Sequence, residues 1–368
     1  MNMFKTLNPS KFLLNALDDL GFVKPTPIQE EAFPVIVSGK NVVGIAQTGT
    51  GKTLAYILPI LHSMKYTTDK HPTVLVMVPT RELVQQVVEQ IALYSKYVTV
   101  RTAGVYGGTN INTQALTLKD GVDILVATPG RLYDMVIARM ISLKNVKKLV
   151  IDEVDVMLDL GFIFQLTNIF ELLPERRQNI MFSATMTQEV DVLIRDFFYD
   201  PIQISIAVSG TPLENIDQSS YEVPNFYSKV NLLEHLLDDN DEFAKVLIFS
   251  PTKKMADRLQ ETMLEHFGPE LGIIHSNKTQ NTRNAAIENF NNGLNRILIA
   301  TDVIARGLDL DKITHVINFD TPQFPENYMH RIGRTGRAEE IGKTILLFSE
   351  KERTSKKAIE ALMDQKIP

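Results

Sequence analysis

Short apolar runs recur along the chain, each ending in small, polar or charged residues and each followed by a stretch with helical striping. Val42-Val43-Gly44-Ile45 leads through Ala46-Gln47-Thr48-Gly49-Thr50-Gly51-Lys52-Thr53 into Leu54-Ala55-Tyr56-Ile57-Leu58. Val74–Val78 leads through Pro79-Thr80-Arg81-Glu82 into a helix striped by Leu83, Val87 and Ile91. A strand near 98–105 reaches Gly107-Gly108, and Val122–Ala127 reaches Thr128-Pro129-Gly130-Arg131. Lys148–Ile151 ends in Asp152-Glu153-Val154-Asp155, and Asn179–Phe182 in Ser183-Ala184-Thr185. Upstream, Leu13, Leu14, Leu17 and Leu20 predict an amphipathic helix over Phe4–Leu20. A turn at Lys24-Pro25-Thr26-Pro27 follows, then a second helix from Ile28 to Val37. Short apolar strands alternating with helices predict a parallel sheet covered on both faces. The polar groups cluster at strand C-terminal ends, where open α/β sheets hold their ligands.

The pattern breaks near Pro201–Gln218, where Ser209-Gly210-Thr211-Pro212 and a polar run to Ser220 predict a linker. It restarts with Lys245–Phe249, a helix from Thr252 to Phe267, Leu271–Ile274, Arg296–Ala300, Val316–Phe319 and Lys343–Phe348. The expectation is two parallel-sheet α/β domains, residues 1–207 and 219–368, joined by a linker at 208–218. A length of 368 residues suits two cores better than one.

Composition narrows the class. Apolar residues make up 44% and charged residues 22%, and no apolar run approaches the roughly 18 residues of a membrane span. Met1–Leu20 carries Lys5, Lys11, Asp18 and Asp19 without an apolar signal core, and cysteine is absent. Together these predict a cytoplasmic protein with no membrane association and no disulfide or thiolate metal site. The formal net charge of −6 argues against a broad basic surface, so nucleic acid would have to be held by a few well-placed contacts.

Three clusters carry chemistry. In residues 46–53, Gly49 and Gly51 can turn successive N–H groups into one concavity, and the helix N-terminus adds positive potential. Lys52 would reach the outer phosphates of a nucleotide and Thr53 would ligate Mg²⁺. The strict phosphate-loop pattern has glycine where this chain has Ala46. A second-strand carboxylate for the metal is supplied by Asp152, and Glu153 would orient or deprotonate the attacking water. The bland alternative is an acidic strand-ending turn. Arg331, Arg334 and Arg337 recur every three residues in His330–Arg337, which suits either a solvated basic face or the developing charge on a transferred phosphoryl group.

These motifs, in this order, resemble the DEAD-box ATP-dependent RNA helicases of superfamily 2 over nearly the whole chain. Phe4, Gly21-Phe22 and Pro25–Gln29 resemble the family's Q motif, and residues 46–53 its motif I, which itself begins with alanine. Pro79–Leu83, Gly107-Gly108 and Thr128–Arg131 resemble its RNA-contacting motifs. Asp152–Asp155 and Ser183–Thr185 resemble motifs II and III. His275 through Gln280 and Arg283, Ala300–Asp309 and His330–Arg337 resemble the second-domain set. Two positions depart: Val154 stands for alanine, and Ser276 for the glycine after His275.

The resemblance implies two tandem RecA-like domains with the active site in the cleft between them. It implies ATP and Mg²⁺ as cofactors and RNA, single-stranded or a short duplex, as the partner of a monomer. Nucleotide would be bound by Phe22, Gln29, Ala46, Gln47, Thr48, Gly49, Thr50, Gly51, Lys52, Thr53 and Asp309. Lys52, Asp152, Glu153, Arg334 and Arg337 would be catalytic, with Thr53 and Asp152 on the metal. RNA would be held by Thr80, Arg81, Gly108, Thr128, Gly130 and Arg131 and, in the second domain, by Gln280, Arg283 and Thr301. Asp155, Ser183, Thr185 and His330 would couple the two halves. Two other functions fit the same motifs: an ATP-dependent RNA clamp without productive unwinding, and a superfamily 2 DNA helicase.

Overall fold

The computed structural model describes residues 3–46, 49–206, 216–302, 310, 312–322, 324–335 and 341–368, with backbone alone at 280 and 326. The chain divides into two compact units, Met1–Ala207 and Val208–Pro368.

The first unit is a seven-stranded sheet in the order β3-β4-β2-β5-β6-β1-β7, and every pairing is parallel. The strands are β1 (Val42–Ile45), β2 (Val74–Met77), β3 (Thr102–Val105), β4 (Ile124–Ala127), β5 (Lys148–Ile151), β6 (Gln178–Ser183) and β7 (Ile202–Ser205). Successive strand residues feed opposite cores, as the two-residue period of a strand requires. Val42, Val74, Val76, Ile124, Val126, Val150 and Ile180 enter one core, with helices α1 (Lys11–Asp19), α2 (Pro27–Val37), α3 (Lys52–Ser63) and α4 (Arg81–Tyr94). Val43, Leu75, Met77, Leu125, Leu149, Ile151 and Met181 enter the other, with α6 (Pro129–Ile137), α7 (Val154–Asp159), α8 (Ile163–Leu172) and α9 (Gln188–Phe197). A short α5 (Ile111–Thr117) lies between β3 and β4 in the chain. Because β6 pairs with both β1 and β5, the phosphate-loop strand and the acidic strand flank it and end at the same edge of the sheet.

The second unit is a six-stranded parallel sheet in the order β10-β11-β9-β12-β13-β8. It contains β8 (Ile216–Glu222), β9 (Val246–Ser250), β10 (Leu271–Ile274), β11 (Ile297–Thr301), β12 (His315–Asn318) and β13 (Gly342–Phe348). Val246, Ile248, Ile297 and Ile299 face one core, and Leu247, Phe249, Leu298 and Ala300 face the other. Helices α10 (Phe226–Leu237), α11 (Lys253–Phe267) and α12 (Gln280–Asn291) precede β9, β10 and β11, and helices Pro325–Ile332 and Arg353–Met363 flank β13.

The structure alters three expectations. The helix expected over Phe4–Leu20 is a 3₁₀ turn, Met3–Leu7, and then α1, because Asn8 takes a left-handed φ of 51°. The strand expected near 98–105 begins at Thr102. Finally, β8 takes Ile216–Gln218 out of the expected linker.

Candidate nucleotide and nucleic-acid sites

The phosphate loop grows directly from the sheet. Ala46 N–H donates to the Ser183 carbonyl at 3.0 Å, extending the β1–β6 ladder one residue past Ile45. Gly49 (φ 88°) and Gly51 (φ 84°) are then left-handed, a conformation that costs a side chain roughly 1–2 kcal/mol. Gly51 caps α3 and has a second reason to be glycine: a Cβ there would collide with Gln29 Nε2. That Nε2 donates to the Gly51 carbonyl at 3.1 Å, while Gln29 Oε1 accepts the Thr26 N–H at 3.0 Å. One amide therefore ties the start of α2 to the loop. Thr50 is half-buried; Gln47 and Thr48 lie outside the described residues. Lys52 opens α3 and is only 6% exposed, and its Nζ has no hydrogen-bond partner among the described residues. A buried ammonium at a helix N-terminus is electrostatically incomplete and is completed by an anion.

The acidic strand ends beside it. Asp152 N–H donates to the Met77 carbonyl at 3.0 Å, carrying the β5–β2 ladder to the sheet edge. Burial pushes the Asp152 carboxyl above its ordinary range, against the pull of Lys52 and the nearby Tyr56 hydroxyl. Glu153 is buried, takes a left-handed φ of 54°, and donates its N–H to Asp152 Oδ1 at 2.9 Å. Asp155 Oδ2 accepts from Ala184 N–H (3.3 Å), Thr185 N–H (3.2 Å) and Thr185 Oγ1 (3.0 Å), and Ser183 Oγ donates to the Thr185 carbonyl at 2.7 Å. Three of the four expected coupling residues thus form one network that links the acidic turn to the end of β6. Val154 is 0% exposed and belongs to the core with Met157, Met181, Val190 and Leu193. Its extra methyls fill apolar space.

The donor set fits Mg²⁺. Thr53 and Asp152 offer hard oxygens, and no group of three His, Cys, Asp or Glu among the described residues could hold a metal. Magnesium sites of this sparse kind draw their remaining ligands from water and nucleotide phosphates.

Phe22 is half-buried and packs edge-on to Phe4 (6.3 Å between centroids) and to Tyr94 (6.2 Å), so the buried Phe4 of the 3₁₀ turn supports its ring. Of the expected first-domain RNA residues, Thr80 caps α4 by accepting Leu83 N–H at 3.3 Å. The Arg81 guanidinium lies over Gly108, where a Cβ would come 2.7 Å from Nη1. Thr128 and Gly130 stand at the start of α6. Arg131 differs: it is buried, and donates to Gln114 Oε1 at 2.6 Å and the Thr109 carbonyl at 2.7 Å. Gln114 in turn donates to the Tyr106 carbonyl and Thr109 Oγ1, so Arg131 braces the loop that carries Gly107 and Gly108.

In the second unit, Thr301 ends β11, Arg283 and Arg334 are buried, and His330 is half-buried. The structure sorts the arginine cluster. Arg331, 1% exposed, forms a bidentate pair with Asp302 at 2.6 and 2.7 Å and donates to Asn318 Oδ1 at 3.0 Å. It is structural, and Arg334 is left as the described candidate for phosphate. Arg337 and Asp309 lie outside the described residues, as does the side chain of Gln280, whose backbone opens α12. Ser276 is exposed and is not among the positive-φ residues, so the glycine it replaces is not required by the backbone here. His275 is held by Asp257 Oδ1 (2.9 Å), which also pairs with Lys278 at 2.8 Å. Sequence reading missed Asp257, Asp302 and Gln114, whose roles come from long-range packing. It also missed Tyr56, although its place three residues after Thr53 on α3 put it on the same helix face.

The comparisons with known proteins agree with this geometry. The DEAD/DEAH box helicase profile matches residues 26–193, and the helicase conserved C-terminal domain profile matches 228–339. The DEAD-box ATP-dependent RNA helicase CshA of Bacillus cereus is 40% identical over 370 residues, spanning all of this chain and 69% of that protein. The ATP-dependent RNA helicase DeaD of Buchnera aphidicola is 40% identical over 362 residues, 98% of this chain and 59% of that protein. The chain thus spans about three-fifths of the Buchnera relative. Among solved structures, S. cerevisiae Dbp5 bound to RNA and ADP BeF3 matches with a TM-score of 0.87 at 28% identity, covering 98% of this chain and 93% of Dbp5. Mss116p bound to ssRNA and AMP-PNP matches with a TM-score of 0.88 at 27% identity, covering 100% of this chain and 77% of Mss116p. Profiles covering most of the chain, relatives at 40% identity and the phosphate-loop and acidic-turn geometry agree: the chain belongs to the DEAD/DEAH box helicase family.

Proposed function

We propose that the chain is an ATP-dependent RNA helicase, in which RNA-stimulated ATP hydrolysis is coupled to domain closure, local duplex opening and RNA remodelling. The observation that carries this reading is the buried Lys52 Nζ, without a hydrogen-bond partner among the described residues, at the mouth of a left-handed glycine loop beside Asp152. Residues 1–207 are the nucleotide-binding domain, and the second helicase domain runs from β8 at Ile216 to residue 368, which shortens the linker to 208–215.

Lys52 and the N–H groups of residues 46–53 bind the phosphates, and Gln29 and Phe22 select adenine. Thr53 and Asp152 hold Mg²⁺, which supplies positive charge to the phosphate oxygens. Glu153, fixed by its own backbone hydrogen bond to Asp152, removes a proton from the attacking water. Arg334 and Arg337 stabilise the charge that develops on the γ-phosphate, with Asp309 near the ribose. Thr80, Arg81, Gly108, Thr128, Gly130, Gln280, Arg283 and Thr301 hold RNA through phosphate and sugar, with Arg131 positioning the Gly108 loop, so the strand is bound without sequence readout. Discrimination against DNA rests on the 2′-OH. Asp155, Ser183, Thr185 and His330 transmit the nucleotide state. The proposal places the protein in the cytoplasm as a monomer; no helix among the described residues is long and apolar enough to cross a membrane.

The test is steady-state ATPase with single-stranded RNA, with DNA and with neither, for wild type and Glu153→Gln. The expected result is turnover stimulated by RNA far more than by DNA. Glu153→Gln should lose at least about a hundredfold in that rate and keep its nucleotide affinity. RNA-independent turnover, or an active Glu153→Gln, overturns the reading. A strand-displacement assay separates unwinding from clamping.

A further inference from the structure

Tyr56 lies on α3 one helical turn beyond Thr53 and is fully buried. Its ring packs at 5.6 Å and 42° against Phe182, the residue before Ser183 on β6. Its hydroxyl, at the far end of that ring, faces Thr53 and Asp152, with Glu153 also near. The same hydroxyl is buried and completes no hydrogen bond of regular geometry. An apolar core rarely tolerates a buried hydroxyl without use, since phenylalanine would fill the same space at no desolvation cost. A phenol hydroxyl can donate one hydrogen bond and accept others. The two groups it faces are the two that offer oxygen to a divalent cation.

We propose that Tyr56 is a positioning residue for the metal site: its hydroxyl bridges Thr53 and Asp152 and fixes the direction in which the pair presents its oxygens. The phenol donates to Asp152 and can accept from the Thr53 hydroxyl. This restricts two rotamers that would otherwise be set only by the cation itself. Orientation of metal-binding side chains by a neighbouring hydrogen bond is a recurrent source of affinity, and its loss typically weakens binding about tenfold or more. The inference rests on the nucleotide-site reading above and adds a residue to it.

The experiment uses the whole chain and a fluorescent ADP analogue, titrated at a series of Mg²⁺ concentrations and in EDTA. Tyr56→Phe is expected to raise the Mg²⁺ concentration at half-effect about tenfold, while affinity in EDTA and the thermal midpoint stay at wild-type values. Phe182→Leu, which loosens the ring contact but leaves the hydroxyl, is expected to lower the thermal midpoint without moving the Mg²⁺ midpoint. An unchanged Mg²⁺ midpoint in Tyr56→Phe overturns the proposal, as does an equal shift in Phe182→Leu, which would make the effect one of packing. A Tyr56→Phe chain without a cooperative melt also overturns it, because the hydroxyl would then hold the fold. Wild type that binds the analogue with no response to Mg²⁺ refutes the nucleotide-site reading itself, a result distinct from a silent Tyr56→Phe.

Discussion

Glu153 is where local backbone and chemistry meet most closely. A glutamate at φ 54° is uncommon, and such backbone strain persists only where the surroundings over-determine it. Here its N–H on Asp152 Oδ1 and the start of α7 fix the turn. None of this strain was legible in the sequence, which showed only adjacent carboxylates at a strand end. The neighbouring Val154 was legible as a departure but not in its consequence. As the first residue of α7 it turns into the core beside Met157 and Met181. Val154→Ala should therefore act on stability and leave the chemistry intact. Removing two buried methyls at a 0% exposed site is expected to cost about 2 kcal/mol, read as a lowered urea midpoint. RNA-stimulated turnover per folded molecule should remain within about twofold of wild type. A large loss of turnover at unchanged stability would show that the valine is part of the coupling apparatus.

At the scale of elements, legibility follows burial. The central strands β2, β4 and β9 are apolar on both faces and were found from composition alone. The edge strands β7 and β8 were not: in each, only some of the side chains are buried, and β8 reads Ile-Asp-Gln-Ser-Ser-Tyr-Glu. A strand paired on one side keeps polar residues that look like linker. The arginine cluster is legible only in part, since three-residue spacing alone cannot tell the salt-bridged Arg331 from Arg334, the candidate for phosphate.

β12 carries an element-scale prediction. Its first residue, His315, is buried, stacks on Phe243 at 4.1 Å, and sits near Lys343, itself paired with Glu242. Burial first, then Lys343, lowers its pKa from 6.5 to about 4, with Glu242 opposing. The folded pKa lies below the unfolded one, so neutral His315 contributes stability above about pH 6.5 that is lost as pH falls toward 4. With allowance for solvent screening, the loss is about 2 kcal/mol. Urea unfolding at pH 7.5 and 4.5 should show His315→Phe losing less stability on acidification than wild type. Equal losses would place the titration elsewhere.

At the scale of the whole molecule, the net charge of −6 must be reconciled with the polyanionic partner proposed above. An acidic protein gains little from long-range attraction, so affinity must come from few contacts, well oriented. Among the described residues proposed to hold or brace the RNA track, only Arg81, Arg131 and Arg283 are cationic, and Arg131 and Arg283 are buried. Counterion release from a single strand gives a slope of about −0.7 per neutralised phosphate in log affinity against log salt. Two such contacts, Arg81 and Arg283, predict a slope of about −1.4, since Arg131 braces the loop and does not meet a phosphate. Fluorescence anisotropy of a labelled oligoribonucleotide, measured in saturating nucleotide between about 50 and 200 mM salt, would read it directly. Arg81→Ala should flatten the slope by about 0.7, because Arg81 lies over Gly108 with its guanidinium partly open to solvent. Arg131→Ala should weaken binding and also lower the thermal midpoint, because its guanidinium braces Thr109 and Gln114. A slope steeper than about −5 would require a basic surface that the charge distribution does not supply, and would refute a recognition mode built on a few oriented contacts.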